Sequence, residues 1–245
     1  MLMGLINSDI FVKKHVCSDI NGDLIALWNK VKDSPLEILE KYKELWSELN
    51  KDNDMERKKS FFEEQRKIYN DTHDPLVFFF IMRTTTNGMP RYNRSGEFNN
   101  SFHITRNGIE PKRLLPILNE WSDKLNGWNV EFIHRSYEEI LDELRPDDFV
   151  YMDPPYFNTK GMYFGGIDFD NFFCFLKDVS NKGVKFALSF NGKSGDVDNT
   201  YCVPDDCYKR HLYIKSGNSS FKRTMGKDSN AMVYESLYLN YDWQL

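Results

Sequence analysis

From residue 129 onward, short apolar strands alternate with helical segments, and this alternation constrains the fold more than any other feature. The predicted strands are VEFIH, FVYM and VKFALSF, and the predicted helices between them are SYEEILDEL and FDNFFCFLKDVSNKG. Such alternation is typical of a doubly wound, mainly parallel sheet in an α/β protein. At the end of the chain, YKRHLYIK and AMVYESLYLNY predict a closing antiparallel pair.

The first half of the chain adds one strand and then a helical region. KKHVCSDI (13–20) predicts a short strand that ends at Asp19, with a helix directly behind it in NGDLIALWNKVK. Residues 35–70 and 110–125 have apolar positions at helical spacing, and DPLVFFFIMRT predicts a helix that is buried because it is apolar nearly all round. The segment 86–102, rich in Asn, Gly, Arg and Ser, predicts a hairpin or an extended loop. We therefore expect an α/β core of residues 1–33 and 129–245, interrupted by a helical, basic insertion at 34–128.

The charge of the chain is unevenly distributed. The formal net charge is −5, which argues against a protein that coats nucleic acid indiscriminately. Residues 83–113 nevertheless carry six Arg or Lys against two acids, and residues 208–227 carry six Arg or Lys and no acid. Two basic segments on an acidic protein favour a localised nucleic-acid footprint. Ordinary solvated surface charge is the alternative interpretation of these segments.

The cysteines and the hydropathy pattern bear on the cellular compartment of the protein and on whether it binds a metal ion. Cys17, Cys174, Cys202 and Cys207 form no paired motif, which favours reduced thiols in the cytoplasm. Cys202 and Cys207 with His211 lack an evident fourth ligand for zinc, so we expect no metal site. No apolar run approaches the length that spans a bilayer, and the N-terminal residues do not form a secretory signal, so no membrane partner is expected.

The stretch DDFVYMDPPYF (147–157) places a carboxylate at the exit of a predicted strand. Ligands of open parallel sheets bind at the carboxyl ends of the strands, which is where Asp153 is expected. Pro154 and Pro155 have no N–H to donate, so they restrict the backbone and leave neighbouring carbonyls free. A carboxylate beside such a carbonyl offers two acceptors, which complement an amino group with two N–H bonds. Tyr156 adds a ring on which a planar heterocycle can stack. An ordinary proline-rich turn is the alternative.

Together with four other stretches, DPPY resembles the Dam-like, D12 class of adenine-N6 DNA methyltransferases. SDINGDLI (18–25) is similar to the family block "NDxNxxLI", and TNGMPRYNRSGEFNNSF (86–102) resembles the hairpin "NGLxRxNxxGEFNvPfG". FIHRSYEEIL (132–141) resembles "FxxxSYxxxL", and YESLYLNY resembles "xExLxxNY". The matches keep the family's order and cover roughly 18–241. The resemblance implies a Rossmann-like doubly wound methyltransferase sheet with a helical target-recognition insertion and a recognition hairpin.

The resemblance also implies an activity: transfer of a methyl group from S-adenosylmethionine to the N6 amino group of a flipped adenine in double-stranded DNA. The implied setting is a bacterial or phage-infected cell, as in restriction–modification. The implied catalytic residues are Asp153, Pro154, Pro155 and Tyr156. Asp153 and the Pro154 carbonyl are implied to hold the amino group, and Tyr156 is implied to stack on the base. The implied cofactor-binding residues are Asp19 at the ribose hydroxyls, Ile133 near the adenine ring, and also Ile20 and Asp153. The implied DNA-binding residues are Arg83, Asn87, Met89, Arg91, Asn93, Arg94 and Arg106.

The chain departs from the family pattern at its front and in the hairpin. The family's lysine-bearing segment and glycine-rich turn, "PFxGGG", have no counterpart, because MLMGLI holds only Gly4. Three explanations stay open: a shortened enzyme, one half of a split enzyme whose partner completes the cofactor site, or a relative that binds DNA without methylating it. NNSFHIT (99–105) replaces the family's "NVPFGRY", so the recognition sequence is not implied. Methylation of a cytosine amino group, which uses a similar loop, is a further alternative.

Overall fold

The structure is a computed structural model that describes residues 2–8, 10–86, 88, 90–155, 166–218 and 232–242. The described residues form two compact units, the first ending at Tyr137 and the second beginning at Glu138. Each unit contains helices and strands, so the predicted mixed α/β composition is confirmed. None of the helices in these ranges is both long enough and apolar enough to cross a membrane.

The first unit combines two parallel strands with six helices. β1 (His15–Asp19) pairs with β2 (Val130–His134), and Asp19 lies opposite His134 at the end of both strands. The predicted strand ending at Asp19 and the predicted VEFIH strand are therefore confirmed. The six helices are α1 (Leu2–Ile6), α2 (Gly22–Asp33), α3 (Pro35–Leu49), α4 (Met55–Thr72), α5 (Pro75–Thr84) and α6 (Pro111–Gly127). Only α1 was not predicted.

Three helices of the first unit begin at a residue whose side chain caps the first turn. The side chains of Asn21, Asp54 and Asp74 each accept a hydrogen bond from a backbone N–H of the first turn of α2, α4 and α5. These bonds satisfy donors that have no partner inside the helix. The apolar α5 is buried as predicted, with Phe78 and Phe80 fully enclosed.

The described residues between 85 and 102 form the predicted hairpin, which we call the 85–102 hairpin. Thr85 pairs with Phe102 and Tyr92 pairs with Phe98 in antiparallel bridges. Phe98 packs edge-on against Phe78 of α5, with ring centroids 6.2 Å apart, and is 1% exposed. Asn70 of α4 bonds both backbone groups of Phe98, at 2.9 and 3.1 Å. The hairpin is thus fixed to the helical core by its aromatic residues.

The second unit has a five-stranded sheet of mixed direction. β3 (Phe149–Met152) pairs in parallel with β4 (Lys185–Ser194), and β7 (Met232–Leu239) lies antiparallel between β4 and β6 (Arg210–Asn218). A two-residue strand, β5 (Val197–Asp198), pairs with β4. The predicted FVYM and VKFALSF strands and the closing antiparallel pair are confirmed. The helix α7 (Phe169–Asn181) also lies where it was predicted.

SYEEILDEL, predicted as a helix, forms the 3₁₀ helix Tyr137–Glu143. None of its residues is buried. A short, acidic segment with no buried side chain gains little from the longer α-helical turn, because helical stability in proteins comes mostly from packing.

Candidate functional site

Asp153 follows directly after β3, at the carboxyl end of a strand that pairs in parallel with β4. Its side chain is exposed, and its Oδ1 atom accepts a hydrogen bond of 2.9 Å from the Ser189 hydroxyl. Within the described ranges, its Oδ2 atom makes no hydrogen bond or ion pair. Among the described residues, the carboxylate therefore has one oxygen held by the protein and one oxygen without a partner.

Ser189 connects Asp153 to the neighbouring tyrosine of β3. The serine lies on β4, one residue beyond Leu188, which pairs with Met152, and it is 5% exposed. The Tyr151 hydroxyl donates to Ser189 Oγ at 3.0 Å, and the serine donates in turn to Asp153. Because side chains alternate along a strand, Tyr151 and Asp153 share one face of the sheet. The hydroxyls of Tyr151 and Ser189 thus form a chain of hydrogen bonds that ends at the Asp153 carboxylate.

The surroundings of Tyr151 disfavour loss of its phenol proton. Burial raises the pKa of the Tyr151 phenol above its usual value, the Ser189 hydrogen bond opposes that shift, and the charges of Asp153 and Glu235 add to it. A raised pKa keeps the hydroxyl protonated, so it remains a donor. Pro154 and Pro155 are half-buried beyond Asp153, and Tyr156 lies outside the described residues.

Asp19 ends β1 and begins a turn into α2, which we call the Asp19 turn (residues 19–22). Its Oδ1 atom accepts a hydrogen bond of 2.7 Å from the Asn21 backbone N–H, and the side chain is exposed. Its Oδ2 atom has no hydrogen-bond partner among the residues described. Like Asp153, Asp19 therefore has one carboxylate oxygen held by a hydrogen bond and a second oxygen without a partner among the described residues.

The two predicted apolar cofactor residues lie close to Asp19 along the backbone. Ile20 follows it and is 38% exposed, while Ile133 of β2 pairs with Ser18 and is half-buried. The His134 ring contacts the Ile20 carbonyl through Nε2 at 3.0 Å. A Cβ at position 22 would lie only 3.1 Å from the His134 ring, so Gly22 is the residue that lets α2 begin so near β2.

The 85–102 hairpin presents several of the predicted DNA-binding residues to solvent. Tyr92 and Phe98 are buried, whereas Arg91, Asn93 and Arg94 are exposed. This alternation of inward and outward side chains follows from the extended backbone on either side of the tip. The two arginines form no ion pair with any described residue. Among the described residues they are therefore exposed positive charges without an acidic partner, on a backbone anchored by aromatic packing.

The remaining predicted DNA-binding residues differ in their environment. The Asn93 side chain closes the hairpin tip, accepting from the N–H groups of Ser95 and Glu97 at 2.9 and 3.0 Å. Its amide nitrogen donates to the Glu97 carboxylate at 2.7 Å. Arg83, at the end of α5, and Arg106, after the hairpin, are exposed. Asn87 and Met89 are outside the described residues.

Sequence reasoning did not single out Ser189, Tyr151 or Tyr92. Ser189 interrupts the otherwise apolar run VKFALSF, and a lone hydroxyl in a buried strand requires a partner. That signal was available in the sequence, whereas the partner depends on the pairing of β3 with β4. Tyr92 carries no such signal, because it lies in a polar loop whose inward and outward positions are set by the fold.

Comparison with known proteins places these residues in a family. The model of the D12 class N6 adenine-specific DNA methyltransferases matches residues 7–225. The modification methylase StsI of Streptococcus sanguinis is 25% identical over 96% of this chain, and the type II methyltransferase M.FokI of Planomicrobium okeanokoites is 27% identical over 95%. A DNA adenine methylase of Escherichia coli K12 is 30% identical over 62% of this chain.

The chain spans 37% of the length of the first two relatives and 51% of the third. The family match includes β1, the Asp19 turn, the 85–102 hairpin, and β3 with Asp153. Because that match covers most of the chain, this protein belongs to the D12 class of N6 adenine-specific DNA methyltransferases.

Proposed function

We propose that this chain transfers a methyl group from S-adenosylmethionine to the N6 amino group of an adenine that is flipped out of duplex DNA. The observation that carries the proposal is Asp153, an exposed carboxylate at a strand end with one oxygen held by Ser189 and the other without a partner in the part of the chain that the structure describes. Family membership supports adenine as the target base.

In this role the open oxygen of Asp153 and the carbonyl of Pro154 accept hydrogen bonds from the two N–H groups of the amine. Those bonds draw the nitrogen lone pair out of conjugation with the ring and direct it away from the two acceptors. S-adenosylmethionine supplies a methyl group on a sulfonium: the N–C bond forms as the S–C bond breaks, the bonding pair stays on sulfur, and the nitrogen loses one proton to solvent. Tyr156 stacks on the flipped base, and Pro155 stiffens the turn that carries it.

The Asp19 turn fits the ribose end of this cofactor. A carboxylate with an open oxygen at a strand end is suited to a vicinal diol, and Asp19 offers that oxygen. Ile20 and Ile133 supply partly exposed apolar surface for an adenine ring. We also propose that a partner chain or a further segment completes the part of this site that binds the methionine end of the cofactor.

The 85–102 hairpin supplies the DNA contacts in this proposal. Arg91 reads a base or wedges into the site vacated by the flipped adenine, supported by Asn87, Met89 and Asn93, while Arg83, Arg94 and Arg106 contact phosphates. Flipping costs about a few kcal/mol, which contacts of this kind offset. We further propose a Rossmann-like methyltransferase core formed by residues 1–33 and 129–245, and a DNA target-recognition domain formed by residues 34–128.

The test replaces Asp153 with alanine and measures methyl transfer to unmethylated duplex DNA, with mass analysis of the nucleosides. Asp153→Ala is expected to abolish formation of N6-methyladenine and to leave DNA affinity within about two-fold of the parent. Asp196→Ala, which removes an exposed carboxylate from the turn after β4, is the matched control and should keep full activity. Activity of Asp153→Ala above a tenth of the parent would refute the role of Asp153. DNA binding with no methylated product from the parent chain would favour a non-catalytic subunit, and N4-methylcytosine as the product would refute adenine.

A further inference from the structure

A row of buried polar side chains joins the Asp19 turn to the 85–102 hairpin. The Asn21 side-chain amide donates to the Tyr92 hydroxyl at 3.0 Å, across 71 residues of sequence. Asn21 is 5% exposed and Tyr92 is 6% exposed. At this burial, water does not readily replace the partner if the hydrogen bond is lost.

The row continues beyond Tyr92 and has a defined direction. Tyr92 hydrogen-bonds to the Tyr69 hydroxyl, which donates to Asp23 Oδ2 at 2.6 Å. Since the single hydroxyl proton of Tyr69 is used at Asp23, the Tyr92 proton is the one shared between the two tyrosines. The Tyr92 oxygen is then an acceptor for Asn21, and the carboxylate at the far end strengthens each bond in the row. Burial raises the pKa of the Tyr92 phenol and keeps that proton in place.

Asn21 is the residue that sets the conformation of the Asp19 turn. Its backbone N–H holds Asp19 Oδ1, and its side-chain oxygen caps α2 by accepting from the Leu24 N–H at 3.1 Å. The amide can cap the helix with its oxygen only while its nitrogen faces Tyr92. Tyr92 therefore holds the Asn21 amide in the orientation that caps α2, and in the turn capped this way the Asn21 backbone N–H bonds the Asp19 carboxylate.

We propose that Tyr92 is a positioning residue for the cofactor site, although it lies on the DNA-contacting hairpin. This inference rests on the function proposed above, because it assigns the ribose of S-adenosylmethionine to Asp19. The hairpin then has two functions that are divided between neighbouring residues. Arg91 and Asn93 face outward, and Tyr92 faces inward to hold the Asp19 turn. Cofactor affinity depends on the hairpin even when no DNA is present.

The test uses Tyr92→Phe, which removes the hydroxyl and keeps the ring that packs edge-on against Phe98. Tyr42→Phe is the matched control: Tyr42 is also buried in the first unit, and its hydroxyl bonds the backbone of Ile109 instead of Asn21. S-adenosylhomocysteine is titrated into each protein without DNA by calorimetry. We expect Tyr92→Phe to weaken its binding about 5- to 30-fold, since a buried amide donor loses its partner, and Tyr42→Phe to change it less than about two-fold.

Two further measurements separate positioning from a general loss of structure. For Tyr92→Phe, the KM for S-adenosylmethionine should rise while kcat at saturating cofactor and the KM for DNA stay within about two-fold of the parent. Hydrogen exchange of the Asn21 and Leu24 amides should accelerate in Tyr92→Phe and not in Tyr42→Phe.

Two outcomes would overturn the role of Tyr92 and leave the proposed function intact: unchanged affinity in Tyr92→Phe, or an equal loss in Tyr42→Phe. If the parent protein binds no S-adenosylhomocysteine, this chain does not hold the cofactor without the partner or segment that completes the site, and the role of Tyr92 in the affinity of this chain fails with it. Unchanged exchange at Asn21 and Leu24 would in that case overturn the positioning of the Asp19 turn as well.

Discussion

Ser189→Ala isolates the contribution of orientation at Asp153, because it leaves the carboxylate in place and removes the hydrogen bond that fixes it. The Ser189 hydroxyl donates to Asp153 Oδ1 at 2.9 Å and accepts from Tyr151 at 3.0 Å. A hydrogen bond to a charged group contributes about 1.5–3 kcal/mol, which corresponds to a factor of roughly 10 to 150 if all of it is lost from the transition state. The Tyr151 ring is 37% exposed, so its hydroxyl can bond water instead, and stability should fall by no more than about 1 kcal/mol.

The assay is the initial rate of tritiated methyl transfer to unmethylated duplex DNA, with kcat/KM compared between variants and thermal unfolding measured in parallel. Ser236→Ala is the control, since Ser236 is a fully buried serine on the adjacent strand β7 that makes no hydrogen bond to Asp153. We expect Ser189→Ala to lower kcat/KM by about 10- to 100-fold, and Ser236→Ala to lower it less than about three-fold. Equal rates in the two variants would show that Ser189 does not orient Asp153.

Two more predictions concern DNA recognition and pH. Arg91→Ala should lower DNA affinity and remove about 1–3 kcal/mol of discrimination at one base pair, whereas Arg106→Ala should weaken binding to all duplexes alike. Fluorescence anisotropy with single-base variants of the duplex distinguishes the two effects. A uniform loss of affinity for Arg91→Ala would refute base reading by Arg91. Burial lowers the pKa of His211, whose ring stacks on Tyr238 with centroids 4.3 Å apart. The unfolded chain therefore takes up the proton more readily, and the free energy of unfolding should decrease as the pH falls below about 6.5. His211→Phe should flatten this decrease in urea titrations between pH 7 and 5, and an unchanged slope would contradict the role of His211.

The elements that could be predicted are those whose signals are local. Apolar spacing defines α2 to α5, side-chain caps mark the start of α2, α4 and α5, and proline at the first position of α3 and α5 marks where those helices begin. β3 could be located because the apolar run FVYM ends on the carboxylate of Asp153, and β1 because the short segment HVCS ends at Asp19 directly before a helix start. These signals require only neighbours within a few residues of one another.

The contacts that could not be predicted join residues far apart in sequence. β1 pairs with β2 across more than a hundred residues, since His15 lies opposite Val130, and no local pattern specifies that register. The Ser189 bond to Asp153 and the Tyr92 bond to Asn21 depend on such pairings. Asn93 illustrates the same limit. Its residue type and motif indicated a DNA contact, while its side chain also closes the turn that carries the motif.

Asp19 and Asp153 each use one carboxylate oxygen to fix the side chain and leave the second oxygen open, and this follows from their positions. A side chain at the last pair of a strand, or just past it, is held little by packing, and ordering one on ligand binding costs about 0.5–1.5 kcal/mol. An internal hydrogen bond restricts the carboxylate side chain to one rotamer before the ligand binds. Part of the ordering cost is therefore already met when the protein folds. Asparagine at either position retains an oxygen for the internal donor, the Asn21 amide or the Ser189 hydroxyl. Its nitrogen then takes the place of the open oxygen and presents a donor where the diol or the amine requires an acceptor. Asp→Asn therefore separates the two functions of each carboxylate, because the folded structure keeps its hydrogen bond while the ligand loses its partner.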